Sequence, residues 1–569
     1  MKIREIVVHN FRAFKDATLF VEDYGLLIGA NNSGKSAVLD AVRAFYEKDI
    51  KFDVQRDFPK FPTDDKESWI EIEYEMTKDE AETIRSEYRQ AGVRFRVRRV
   101  LHSGDKANLH LYAYEGGVLS GNQFYGEDSV GKGKLGEVVH IPAVTKLEDI
   151  TKFSGTSPLR DLVNAIFKKL VKGSEAFANF QSAVNKFGKD IQAEETSDKR
   201  SLRGLEEDIN AGLNDWEAKF KLKVSPLSET EVVKSLLDYE IYDEVLKANQ
   251  SASSYGHGFQ RQLIYRLLRV SAGYSAGKPP AKKKDFSPDF VLLLFEEPEA
   301  FLHPPQQSQL DSDLRKIAME EGRQVLLSTH SPQFVSHATE HIPGIAMLQR
   351  CNGQSVIGQI KIERLSELFA ENQEVNKIAA GLRNYEAGSD ENKIEMEAVK
   401  YFLWLNPERC GVFFAKRTLV VEGPSEVVLI NYLIQTGKIR SPTGGLFVID
   451  ALGKCNVHRF MNLLGELKIE HSVLHDQDPN KTGDDKIFHE RMNKLIQDSK
   501  NMFTQKVHVF AEDLETFLGV TMPDKEYRKP SRLLLALKES RIDEDRIKAL
   551  CKLIEELAGA SVSAPVAMS

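Results

Sequence analysis

Three stretches of this chain carry residue types at spacings suited to phosphate and metal chemistry. The first is Gly29-Ala30-Asn31-Asn32-Ser33-Gly34-Lys35-Ser36, which fits GxxxxGK[ST]. It follows the apolar run GLLI and precedes SAVLDAVRAFY, whose apolar residues recur at helical spacing. Strand, glycine-rich loop and helix together suit nucleotide phosphates. The glycines let backbone N–H groups face the oxygens, and the helix N-terminus adds partial positive charge. Asn31, Asn32, Ser33 and Gly34 form the loop, Lys35 is expected to reach the β and γ phosphates, and Ser36 to ligate Mg²⁺. ATP is the expected cofactor.

The second stretch, Val291 to Glu299, reads VLLLFEEPE. A fully apolar strand suits the buried centre of a parallel sheet, and ligands gather at the C-terminal ends of such strands. Glu296 stands at a metal-supporting position, and Glu297 is the candidate base that polarises the attacking water. One helix later, QVLLSTHS ends a further strand at His330.

The third stretch is rich in carboxylates. RTLVV delivers Glu422 to a strand end, Gly423 permits a sharp turn, and Glu426 follows one helical turn on. HSVLHDQD ends a second strand in Asp476 and Asp478, whose i, i+2 spacing sends both side chains the same way if the backbone is extended. Asp513 and Glu515 follow the strand KVHVFA. Oxygen-only ligands suit Mg²⁺ or Mn²⁺ and not zinc. Two such ions would clamp the attacking and leaving oxygens of a phosphodiester displacement.

The nucleotide motifs resemble the ABC-type ATPase heads of the RecF, SMC and Rad50 group, as does the opening Asn10-Phe11-Arg12-Ala13-Phe14. That resemblance implies that His330 senses the γ phosphate. It also implies that Ser253 to Arg261, with Gly256 and Gly258, is a degenerate signature acting in trans. Dimerisation around ATP would follow. Glu296 departs from the usual Asp, but both carry a carboxylate. The acidic set resembles the Toprim domain.

A RecF/SMC-like head followed by Toprim resembles the OLD (overcoming lysogenisation defect) nucleases, a family that includes the nuclease subunit of the Gabija phage-defence system. The resemblance implies that Glu422, Glu426, Asp476, Asp478, Asp513 and Glu515 hold metal. It also implies a late catalytic lysine, for which Lys529 and Lys538 compete, with a plain surface role open to either. Leu452-Gly453-Lys454-Cys455-Asn456 matches the glycine-rich Toprim turn only loosely.

The expected activity is that of an ATP-binding and ATP-hydrolysing, metal-dependent DNA endonuclease in antiphage defence or DNA processing. The expected partners are DNA, further copies of the chain as a dimer or tetramer through the ATPase and helical arm, and a UvrD-like helicase if the protein is of the Gabija type. Two other readings stay open: a RecF-like repair ATPase with a non-cleaving Toprim scaffold, and a Toprim ribonuclease.

The elements that must position these residues give an α/β fold class: a RecF/SMC-like ABC ATPase head with an inserted helical dimerisation arm, then a Toprim α/β domain and a helical C-terminal tail. The pattern divides into 1–154 and 251–361 for the ATPase, 155–250 for the arm, 362–405 for a helical connector, 406–525 for Toprim and 526–569 for the tail. WIEIEYEM, VRFRVRRV and LHLYAYE alternate as strands of an antiparallel sheet.

A chain of 569 residues exceeds what one core organises, and 41% hydrophobic with 28% charged residues fits a globular protein. The N-terminus has no apolar run of signal-peptide length, and no stretch approaches about 18 apolar residues; a cytoplasmic location with no membrane contact is expected. Four cysteines without CxxC spacing indicate neither a zinc site nor a disulfide framework. A net charge of −8 counts mildly against a nucleic-acid partner, although only a local basic surface is needed. Arg94, Arg96, Arg98 and Arg99, or Lys282 to Lys284, could supply one, or could be ordinary solvated charge.

Overall fold

The computed structural model describes residues 1–559 apart from 47–49, 91, 105–108, 127–133, 144–150, 152–158, 160–162, 165–166, 168–169, 171–173, 199, 212, 214–218, 223–230, 233–234, 236, 252–253, 276–285, 287, 336–338, 374, 377, 379–396, 398, 402–403, 441, 443–444 and 522–527. Ser253, Lys282 to Lys284, most of the connector after Asn372 and the last ten residues lie outside the described residues. The chain forms two compact units: Met1–Ala143 joined by Lys283–Ser569, and Val144–Lys282.

The first unit is built on three sheets. β1 (Lys2–Phe11), β2 (Phe14–Phe20), β4 (Ser68–Glu75), β5 (Arg94–His102), β6 (Leu111–Glu115) and β7 (Val118–Gln123) make an antiparallel sheet in the order β2-β1-β4-β5-β6-β7. The second runs β14-β13-β3-β12-β11-β8, from β3 (Tyr24–Ile28), β8 (Glu137–Ile141), β11 (Val291–Glu296), β12 (Arg323–Ser328), β13 (Ile345–Cys351) and β14 (Gln354–Gln359). All its pairings are parallel except β13 with β14. GLLI, VLLLF and QVLLS are buried along their whole length, as apolar runs must be in the middle of a covered parallel sheet. The helix Lys35–Tyr46 inserts Val38, Leu39, Val42 and Phe45 into one core with Ile70, Ile72 and Phe95 of the antiparallel sheet and Leu292 and Leu326 of the parallel one.

The third sheet is all parallel, in the order β16-β15-β17-β18, from β15 (Thr418–Val421), β16 (Phe447–Asp450), β17 (His471–Asp476) and β18 (Thr504–Phe510). From β15 the chain steps first to β16 on one side, then to β17 on the other. The strand order therefore reverses between β15 and β17, and a crevice opens at their C-terminal ends. The helices Lys529–Lys538 and Glu544–Leu557 pack Leu533, Leu537, Leu550 and Ile554 into the same core as Leu419, Val421 and Leu474. The C-terminal helices thus complete this sheet's covering layer instead of trailing from it.

The arginine row does not form a free basic face. β4 pairs with β5 so that Glu71, Glu73 and Glu75 lie opposite Arg98, Arg96 and Arg94. Arg96 bonds Glu71 at 3.1 Å and Glu73 at 2.7 Å, Arg94 reaches Glu73 at 2.9 Å, and Arg98 reaches Glu71 at 2.8 Å while lying over the Trp69 ring. Arg99 donates to the Phe45 carbonyl. These cations are held by neighbouring acids, and the reading as ordinary structural charge applies. The alternating Glu of WIEIEYEM was the available signal, because cross-strand partners of opposite charge stabilise a ladder.

The second unit contains the helices Glu175–Ala193 and Leu202–Ala211 in the stretch read as a helical arm. It also contains an antiparallel hairpin, β9 (Ile241–Asp243) with β10 (Ala248–Gln250), which the helical pattern did not indicate. The helix His257–Ser275 starts directly after Gly256, as the glycine-rich spacing suggested. Among the described residues no helix is long and apolar enough to cross a membrane.

Candidate active site

At the end of β3 the loop 29–36 turns as its glycines permit. Gly29 has φ +134°, and a Cβ there would sit 2.2 Å from the Leu348 carbonyl oxygen; Gly34 has φ +108°. Only glycine fits either place without displacement. Lys35 Nζ donates to the carbonyls of Gly29 at 2.9 Å and Ala30 at 3.0 Å. Burial lowers its pKa to about 8, against the pull of Glu297 and Glu299. Ser33 Oγ is buried and has no hydrogen-bond partner among the described residues. A cation folded onto its own loop beside an orphaned hydroxyl fits a phosphate group, which would accept from both. Asn31, Asn32 and Ser36 are exposed on the loop's open side.

β11 and β12 bring the other nucleotide residues to the same sheet end. Glu297 has φ +43°, unusual for a residue with a Cβ, and its N–H is held by the Ser328 carbonyl at 2.8 Å. Its carboxylate lies 3.3 Å from His330 Nε2. The His330 N–H donates to Glu299 Oε1 at 2.6 Å. Burial, and then the Lys35 charge, lower the His330 pKa. An imidazole this close to a carboxylate can accept or pass a proton. Burial, followed by repulsion from Asp40, raises the Glu296 pKa. As an expected result, Glu297→Gln binds ATP and hydrolyses it roughly 10²–10⁴-fold more slowly, the range for loss of a general base. Phosphate release and nucleotide binding measured on one preparation check this, and unchanged turnover would remove Glu297 from the role.

Gly256 and Gly258 sit at the start of the helix His257–Ser275, and a Cβ at Gly256 would meet nothing within 4 Å. Tyr255 stacks on Phe259 and donates its hydroxyl to Asp243 at 3.1 Å. The helix N-terminus is thus left uncrowded at Gly256.

Glu422, Glu426, Asp476 and Glu515 come together at the crevice between β15 and β17. The Asp476 N–H donates to Glu422 Oε1 at 2.8 Å, tying the two strand ends together. Glu426, on the helix Pro424–Gln435, and Glu515, on the helix Leu514–Leu518, are each 8% exposed. Such burial of carboxylates is costly unless a cation answers them. Burial, and then the charges of Glu422 and Glu515 among others, push Glu426 up to about 8. Burial, and then Glu422, Glu426, Asp478 and Glu515, push Asp476 up to about 9. Acids that repel one another in an oxygen-only cluster fit a hard divalent cation. Among the described residues, however, no three of these groups already stand as ligands around one point.

The geometry departs from the sequence expectation at two acids. β17 ends at Asp476, and Asp478 lies beyond it with φ +55°, so the alternation that would align the two side chains no longer holds. Asp478 turns to Lys454 Nζ and to His489 Nδ1 at 3.0 Å. Burial works against its ionisation, yet these two hydrogen bonds hold its carboxyl well below the usual range. Asp513 caps the helix Leu514–Leu518 by accepting from the Thr516 N–H at 2.7 Å, so a structural task accounts for it as well. Of the two late lysines, Lys529 Nζ lies 3.9 Å from Glu515, while Lys538 Nζ lies over the Tyr432 ring at 5.5 Å.

Two residues of the cluster escaped the sequence reading. Lys454, 5% exposed at the start of the helix Lys454–Glu466, donates to the Asp476 carbonyl at 2.7 Å and to Asp478, and its Nζ lies 3.5 Å from Glu422. His489 comes from the helix Gly483–Asp498. The glycine before Lys454, in a turn only loosely resembling the Toprim pattern, was the one signal.

Comparison with known proteins finds relatives for both parts of the chain. The AAA ATPase domain family aligns with residues 1–112 and 122–335. The overcoming lysogenization defect protein-like TOPRIM domain aligns with 413–478. The Old nuclease of Escherichia phage P2 is 22% identical over 494 residues, covering 84% of this chain and 77% of that protein. Endonuclease GajA of Bacillus cereus (strain VD045) is 22% identical over 496 residues, covering 84% and 75%. The OLD nuclease of Thermus scotoductus is 23% identical over 248 residues, 42% of each chain.

Proposed function

From the premise that this chain belongs to the AAA ATPase domain family and carries an OLD-like TOPRIM domain, we propose that it is an ATP-hydrolysing, divalent-metal-dependent DNA endonuclease. The observation that carries the reading is the gathering of Glu422 and Asp476, at adjacent ends of two parallel strands, with Glu426 and Glu515 of neighbouring helices, buried and mutually repelling. Lys35 binds the nucleotide phosphates, Ser36 and Glu296 hold the nucleotide's Mg²⁺, Glu297 polarises the attacking water and His330 reads the terminal phosphate. Glu422, Glu426, Asp476, Asp478, Asp513 and Glu515 would hold Mg²⁺ or Mn²⁺, which supplies Lewis acidity and a lowered water pKa when bound. Lys529, beside Glu515, is assigned as the lysine facing the scissile phosphate, ahead of Lys538.

The same reading takes residues 1–154 and 251–361 as the ATPase, 155–250 as a dimerisation arm and 406–525 as the core of the nuclease domain. The partners are DNA and further copies of this chain, which assemble around ATP through Gly256 and Gly258. A role in antiphage defence or DNA processing is what the resemblance to the OLD nucleases implies.

Supercoiled plasmid incubated with the protein and Mn²⁺, with and without ATP, is expected to convert to nicked or linear DNA, whereas a parallel RNA substrate persists. No conversion under either condition would support the scaffold reading, and preferential loss of RNA the ribonuclease reading.

A further inference from the structure

The carboxylate cluster has two unequal halves. On one side, Lys454 reaches Asp478 and the Asp476 carbonyl, stands 3.5 Å from Glu422, and is joined at Asp478 by His489. This ammonium is nearly sealed from solvent. On the other side, Glu426 and the Asp476 side chain have no Lys or Arg nitrogen within 4 Å among the described residues. Among the described residues Glu515 has Lys529 alone as a cationic neighbour, at 3.9 Å, and that lysine is 36% exposed. Positive charge is therefore built into one half and owed to the other.

We propose that Lys454 is an internal cation occupying the Glu422–Asp478 half of the cluster, so that one divalent ion binds readily on the Glu426–Asp476–Glu515 half and a second must displace the Lys454 ammonium from Asp478. The inference rests on reading the cluster as a metal centre, and it adds an order of loading and a residue that sets it. An ammonium and a divalent ion both in contact with Asp478 repel strongly in a partly buried site, which favours displacement of one by the other. The lysine stem is flexible and its three donors rotate, so the group can swing aside where an arginine fork would not. Lys454 acts as a positioning residue, since its bonds run to the acids.

The test is Mn²⁺ titration of the metal-free full-length chain without DNA, with free Mn²⁺ followed by electron paramagnetic resonance. Wild type is expected to bind one ion tightly and a second at least about tenfold more weakly, a spread typical when one supporting group is altered. Lys454→Met is expected to tighten the second ion by about tenfold and leave the first unchanged. Lys454→Arg is expected to weaken the second ion further, because the fork does not swing off Asp478, and Glu426→Gln weakens the first ion. Circular dichroism melting establishes that each variant is folded; if Lys454→Met is not, Lys454→Gln and the wild-type stoichiometry decide. Two equal ions in wild type, or a Lys454→Met curve superimposed on it, would overturn the proposal. Plasmid nicking alongside such a result leaves the nuclease reading standing, whereas no Mn²⁺ binding and no nicking in wild type overturn both.

Discussion

Asp476→Asn is expected to abolish DNA cleavage while ATP hydrolysis continues. Asp476 closes β17 at the crevice, and its backbone N–H fixes Glu422 across the strand gap. Asn keeps the shape and that N–H but withdraws the charge that meets four neighbouring acids. Metal-assisted stabilisation of a phosphodiester transition state is worth several kcal/mol. At about 1.4 kcal/mol per tenfold in rate, its loss costs on the order of a thousandfold. The substitution does not weaken the metal-free fold, because Asp476, at about 9, is already held above the usual carboxylate range by burial and by its neighbours. An acid raised on folding opposes stability above its unfolded value, most fully once the pH passes the folded one, so removing its charge relieves that penalty. Plasmid nicking, phosphate release and melting temperature on one preparation check all three points. Loss of ATPase together with a lowered melting temperature would make Asp476 a structural residue instead.

Lys35→Ala is expected to have the complementary effect: ATP hydrolysis falls below detection, and Mn²⁺-dependent nicking without nucleotide persists. Lys35 is the ammonium of the phosphate loop, closed onto the Gly29 and Ala30 carbonyls, and its side chain faces Glu297, Glu299 and His330. None of its hydrogen bonds reaches the acids of the C-terminal crevice. Removing one fixed donor aimed at transition-state charge costs roughly 10²–10³-fold, and loss of ground-state binding to the phosphates adds to it. Phosphate release across ATP concentrations measures the effect. Retained turnover would sink the assignment of the loop, and loss of nucleotide-free nicking would mean that the two chemistries are not separable. The pair of variants therefore tests whether one chain holds two independent centres.

The features legible in the sequence are those written in contiguous residues. The phosphate loop was readable because strand, glycines, lysine and helix follow within one stretch, and both glycines take the positive φ that their positions demand. VLLLFEE and QVLLSTH were readable because continuous apolar runs belong inside a parallel sheet, with the polar residue at the end left at the ligand edge. Glu422, Glu426 and Asp476 were readable for the same reason: each is fixed by its own strand end or first helical turn.

What tertiary structure alone decided was which charges answer one another. Arg94, Arg96 and Arg98 read as a basic face until the β4–β5 register set Glu75, Glu73 and Glu71 against them. Asp478 read as a partner of Asp476 until the strand stopped at Asp476 and the left-handed turn sent Asp478 to Lys454 and His489. Lys529 and Lys538 were equivalent in sequence, and only packing placed one near Glu515 and the other over Tyr432. Backbone pattern is local, because it follows from steric and hydrophobic preferences of neighbours along the chain. The electrostatic environment of a buried charge depends on groups far apart in sequence, and nothing short of the assembled fold specifies their distance.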